Sequence, residues 1–153
     1  MNQPRVEGEG SGRRRVWGFF ISGLVSLVAV ATVLVVVSGP TQRITLAVLT
    51  VPVLAWMLVG TVRAVRRERQ LGPIRPAAYA AEHFWVLAVG VLVLGTAVGA
   101  GVTQAAFPTS VDNVLLRGTT YGLIWTITGL NEDWRRRREL RHTGKAPGAG
   151  AGS

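Results

Sequence analysis

Few residues in this chain have types and spacings that suit chemistry. Glu82 and His83 stand side by side, a carboxylate next to an imidazole, which are the ingredients of proton transfer. Arg117 is a lone cation inside an otherwise uncharged stretch. Arg135, Arg136, Arg137 and Arg138 form an unbroken basic run beside Trp134. A proton relay through His83 needs partners further along, and the long apolar stretches contain no acidic residue. Glu82-His83 therefore reads as the polar start of an apolar helix. Arg117 lies three residues beyond Val114, near the start of its own apolar run. Helical side chains lean toward the helix N-terminus, so its guanidinium can snorkel to the nearby polar surface. A pore or anion-site role is the alternative for it.

Composition removes most other chemistry. The absence of cysteine excludes disulfides, thiol catalysis, Cys-ligated zinc and iron–sulfur clusters. His83 and His142 are far apart and make no metal-binding pair. No phosphate-cradling glycine loop and no nucleophile elbow is present. The expectation is no enzyme, no metal and no cofactor. Arginine outnumbers lysine 16 to 1, a bias that codon usage in a GC-rich bacterium would produce.

The elements that carry these residues follow from charge segregation. The 153 residues are 48% hydrophobic and 16% charged, with a mean hydropathy of +0.33. Val16–Ser38 gives 23 residues without a charge, Ile44–Val62 gives 19, and Phe84–Phe107 is interrupted only by Thr and Gln. At about 1.5 Å per residue each run is long enough to cross a hydrocarbon layer of roughly 30 Å. Val114–Leu130 is shorter, carries Arg117, and supplies a fourth span. The expected fold is all-α, an integral membrane protein of four transmembrane helices. A basic, disordered segment at 1–15 precedes a first hairpin at 16–71. A linker at 72–83 joins it to a second hairpin at 84–142. A Gly/Ala-rich disordered tail fills 143–153. Pro52 lies inside the second span, where its missing N–H predicts a bend.

Orientation follows from the basic residues. Fifteen of the 17 Lys and Arg residues lie before the first span, between the second and third, or after the fourth. Only Arg43 and Arg117 fall on the other side. The positive-inside rule then puts both termini in the cytoplasm of a multi-pass protein of the bacterial inner (plasma) membrane. The same count supports the fourth span, without which the six basic residues of the C-terminal segment would lie outside. Arg13-Arg14-Arg15 before an apolar run resembles a secretion signal. The run exceeds the 7–15 residues of a signal core and lacks a good cleavage site, which favours an uncleaved helix.

The two halves are similar to each other. Trp17, Pro40 and Thr41 match Trp85, Pro108 and Thr109 at an offset of 68. Trp56, Gly60, Arg66 and Arg67 match Trp125, Gly129, Arg135 and Arg136 at an offset of 69. Two origins fit the match: a parallel duplication of one helical hairpin, or two hairpins shaped alike by the same membrane rules.

Small residues recur four apart at Gly18, Ser22 and Ser26, at Gly95 and Gly99, and at Gly118 and Gly122. Lipid supplies no hydrophobic force between helices, so such stripes are read as packing faces that let backbones approach. They leave open intrachain packing or assembly with a second copy or another membrane protein. Trp17, Trp85 and Trp134 are expected as interface anchors, with Arg135–Arg138 against anionic headgroups. Glu132 and Asp133 are spaced to pair with Arg136 and Arg137. Every basic cluster flanks a span, which makes the lipid bilayer, and no nucleic acid, the expected partner.

Two functions are compatible with this reading. One is a non-enzymatic scaffold or an assembly or envelope-associated protein. The other is a subunit of a small oligomeric transporter or channel. Small multidrug transporters have this helix number but depend on a carboxylate in the first helix, and Val16–Ser38 has none.

Overall fold

A computed structural model describes residues 8–71, 78–107 and 110–143. Nearly all of these residues are helical, and no strand occurs among them. The elements are α1 (Glu9–Val36), α2 (Pro40–Leu71), α3 (Ala78–Glu82), α4 (Phe84–Ala106), α5 (Val111–Gly129) and α6 (Asn131–Thr143). Three of them, α1, α2 and α4, are long and apolar enough to cross a membrane. The fourth apolar segment forms α5, which is not among those three. Its first turns carry Asp112, Asn113 and Arg117, and threonines follow, which lowers its apolar content.

The helices differ from the sequence expectation mainly at their ends. α1 starts at Glu9, so residues 9–15 are its first turns rather than a disordered segment. Val16 is fully buried and Arg15 holds an ion pair, and both tie the upstream turns down. Residues 1–7 and 144–153 lie outside the described residues, as do 72–77 with Pro73 and Pro76 and the Pro108-Thr109 turn. α2 begins at Pro40, a residue suited to the first helical position because its missing N–H would be unpaired there anyway. Gly39 makes the preceding reversal at φ +73°, a conformation that side-chain-bearing residues rarely adopt. Pro52 sits inside α2.

α4 occupies the centre. α1 runs parallel to it on one side: Gly23 faces Gly90, and at the far end Val30, Val33 and Leu46 cluster with Ala105. α5 runs antiparallel along another side, with Gly122 against Gly95. α2 packs on a third through Met57, which clusters with Leu94 and Val98, and through Thr50, whose side chain fills the space beside Gly101. Leu87, Leu94 and Ala97 of α4 are fully buried. By contrast, α1 and α2 expose broad aliphatic faces that include Ile21, Val25, Val28, Val48 and Leu58.

Candidate functional site

The alternating course of the long helices brings the basic clusters of α1, α2 and α6 to one end of the bundle. The site is built there on a small apolar base. Val16, Ala80, Phe84, Leu87 and Leu130 form one buried cluster that ties α1, α3 and α4 to the α5–α6 junction. Leu130 leaves helical geometry at φ −110°, ψ 5°, which separates α6 from α5. The Trp134 N–H still donates to the Leu130 carbonyl, at 2.9 Å, so α6 resumes at once.

Polar contacts sit on this base. Arg15 Nη2 donates to Asp133 Oδ2 at 2.8 Å, joining positions 118 residues apart. The Asp133 side chain is only 2% exposed and that of Arg15 30%, so the pair is largely withdrawn from solvent. A buried carboxylate needs such a partner, because desolvation without one costs several kcal/mol. Trp17 Nε1 donates to the Tyr79 hydroxyl at 2.9 Å. The Tyr79 ring stacks on His83 at 4.0 Å, and His83 Nδ1 lies 3.1 Å from the Tyr79 carbonyl oxygen. That places Glu82-His83 at the end of α3, as a turn packed on an aromatic ring.

The arginine run divides by helix face. Arg137 lies over Trp85 at 4.9 Å and over Phe84 at 5.4 Å. The expected Asp133–Arg137 pair is therefore replaced: Asp133 turns to Arg15, and Arg137 turns to aromatic rings contributed by α4. Both belong to the inward face of α6, where the core of the other helices offers stronger partners than an exposed neighbour one turn away. Arg138 stacks on Trp134 at 3.6 Å. Arg135 and Arg138 are exposed on α6. The side chains of Glu132 and Arg136 lie outside the described residues, and with them their expected pairing. Trp17, Trp85 and Trp134 are all partly exposed, at 42%, 64% and 42%. Flat amphipathic rings beside stacked guanidinium groups make a collar suited to a boundary between apolar and aqueous phases.

The small residues sort differently from their sequence stripes. A Cβ at Gly95 would come within 2.8 Å of the Gly122 Cα, one at Gly99 within 2.7 Å of the Tyr121 Cβ, and one at Gly118 within 2.8 Å of the Thr96 carbonyl oxygen. These four glycines line one α4–α5 contact. Gly18 meets open space, with Ser22 and Ser26 half-buried on the same helix. The close approach on α1 is instead at Gly23, where a Cβ would lie 2.7 Å from the Gly90 carbonyl oxygen. Spacing along one helix did not reveal Gly23, because its counterpart is on another helix.

At the opposite end, side chains cap exposed carbonyls. Gln42 donates to the Leu34 carbonyl at 3.2 Å, and Arg43 Nε to the Ala105 carbonyl at 3.1 Å. Arg117 is exposed on α5. An apolar crevice of about 110 Å³ lies between α1 and α5 over Thr96, Ala97 and Ala100. No group of three or more His, Cys, Asp or Glu side chains suited to a metal occurs among the described residues. Comparison with protein-family models, curated proteins and solved structures finds no match for this chain.

Proposed function

We propose that this chain is a non-enzymatic four-span protein of a bacterial inner membrane, with both termini in the cytoplasm, that works as a scaffold for membrane assembly. The observation that carries this reading is the collar. The arginine-bearing ends of α1 and α6 meet at one end of the bundle, beside partly exposed tryptophans, and are locked by Arg15–Asp133. Such an end fits the headgroup layer of an anionic leaflet, where each basic residue near the surface contributes about 1 kcal/mol.

A fourth span is supported by how α5 is held. It runs antiparallel to α4 in backbone-to-backbone contact, so it occupies the same depth as a helix apolar enough to cross. Its 19 residues extend about 28 Å at the helical rise, close to the roughly 30 Å required. Its threonines are less polar than their hydropathy suggests. Thr119, Thr120, Thr126 and Thr128 each donate to the carbonyl four residues back, at 2.7–2.8 Å. The parallel, side-by-side setting of α1 and α4, the first helices of the two similar halves, supports a duplicated origin.

Reporter fusions test the arrangement. Fusions after Thr143 and before Glu9 are both expected to report cytoplasm, and a fusion in the Gly39–Pro40 turn the opposite side. An external C-terminus would remove the fourth span and the scaffold orientation with it.

A further inference from the structure

α5 presents two contrasting faces. Val114, Gly118 and Gly122 are buried against α4. On the other side lie Asn113, Leu116, Thr120, Leu123 and Ile127, all exposed, with Leu116 at 67% and Ile127 at 68%. Their spacings are three, four, three and four residues. This is the alternation of core positions in a left-handed coiled coil, where two helices keep one seam in contact. At 100° per residue, the five fall on one stripe centred opposite the α4 contact.

The flanking charges match that register. If Asn113 is the first core position of a heptad, Asp112 precedes it at a g position and Arg117 follows Leu116 at an e position. In a parallel two-stranded coil, g on one helix faces e of the next heptad on the other, five residues on. Asp112 and Arg117 are five residues apart, and both are exposed. Among the described residues neither has an ion-pair partner. Within one helix the two point to opposite sides of the stripe and cannot meet. Across a two-fold axis between two parallel copies, Asp112 of each would meet Arg117 of the other.

We infer that α5 is a dimerisation helix, and that its partner is α5 of a second copy of this chain. The inference rests on α5 crossing the membrane, since two copies inserted in the same sense bring their α5 helices together parallel. It assigns a role to Asn113 on the stripe and to Asp112 and Arg117 beside it. Arg117, near the start of its span, gains a counter-charge where an apolar surround would otherwise leave it to snorkel alone. Asn113, whose amide donates one bond to Ser110 Oγ at 3.1 Å, keeps a second N–H and its carbonyl for the partner's Asn113. A single asparagine in the seam fixes register and favours two strands. The exposed faces of α1 and α2 are largely aliphatic, and lipid covers those without any drive to associate.

The chain has no cysteine, so single cysteines report contacts without a background. Full-length protein in native membranes is oxidised after Leu116→Cys, Thr120→Cys, Leu123→Cys or Ile127→Cys, with Leu115→Cys and Thr128→Cys, at outer positions of the heptad, as off-stripe controls. Stripe positions are expected to crosslink into a band of twice the chain mass, about tenfold more than the controls. Asp112→Arg and Arg117→Asp each place like charges at both symmetric contacts. Each should reduce the Thr120→Cys crosslink about tenfold, equivalent to about 1.4 kcal/mol, and combining them should restore it. Reporter fusions run in parallel separate the two readings. Absent or face-independent crosslinking with a cytoplasmic C-terminus overturns the dimer and leaves the four-span arrangement standing. A crosslinked band of another mass also overturns it, by naming a different partner. An external C-terminus overturns the four-span arrangement itself.

Discussion

The hairpin α1–α2 and the hairpin α4–α5 are similar in sequence pattern and different in packing. α4 and α5 meet backbone to backbone, with glycine on both sides at Gly95 and Gly122. α1 and α2 meet mainly at their turn, where Val30 and Val33 enclose Leu46, and at the tilted contact of Phe19 with Trp56. The closest contacts of each go to α4, through Gly23–Gly90 and Thr50–Gly101. As a result, 67% of the most apolar stretch of α4 is buried inside the chain, against 17% in α1 and in α2. Apolar composition thus does not decide which helix becomes the core. All three long helices are apolar enough for lipid, and the one with glycine and alanine on several faces is the one the others can approach.

The sharpest way to break this contrast is to add one methyl group on each side. Gly122→Ala places a Cβ 2.6 Å from the Leu92 carbonyl oxygen, and Gly90→Ala places one 2.7 Å from the Phe20 nitrogen. Both neighbours are backbone and cannot rotate away. Each variant is expected to lose about 2–3 kcal/mol, read as a lowered thermal midpoint in detergent. An unchanged midpoint would mean that these helices do not touch as described.

Next in size is Asp133→Ala, which removes the link between α1 and α6. Its cost should be about 1–3 kcal/mol, moderated because Arg15 retains some access to water. Protease cleavage within α6 should then accelerate while the α4–α5 contact persists. A smaller change, about 0.5–1 kcal/mol, is expected from Arg137→Ala, which removes the cation above Phe84 and Trp85. Trp fluorescence near Trp85 follows it, and Arg137→Lys should restore part of the loss.

The smallest effect has the opposite sign. Gly18→Ala and Gly60→Ala lie on α1 and α2 with nothing near the added carbon. Each should leave stability unchanged or raise it by up to about 1 kcal/mol, because alanine loses less backbone entropy in a helix. A loss comparable to that of Gly122→Ala would show that the first hairpin has a packed face after all.

These contrasts mark what was legible in the sequence. The long helices announce themselves because a soluble fold rarely contains an uncharged run of about 20 residues. The α4–α5 glycines were legible because they recur on one face of each helix. Gly23 and Gly90 were not, since each is an isolated glycine whose meaning depends on the other. The pairing of Arg15 with Asp133 left no local signal at all. Asp133 was visible as an acid within a basic run, and the nearest arginine on its own helix was the natural expectation. It lost to a partner from the far end of the chain because that partner shares a buried site. The collar was anticipated as separate anchors, at Trp17, Trp85 and Trp134, and not as a set joined through Tyr79 and Phe84.

The central helix is third in chain order among the long ones, and this has a consequence for synthesis. The ribosome delivers α1 and α2 before α4 exists. At that stage Gly23 and Thr50 have no surface to fit, and the two helices share little more than their turn. The emerging chain is a half-open clasp until α4 arrives, and a fragment stopped at Leu71 would stay that way. Loosely joined helices are open to proteolysis, so the chain is most vulnerable before the whole of α4, through Ala106, has left the exit tunnel.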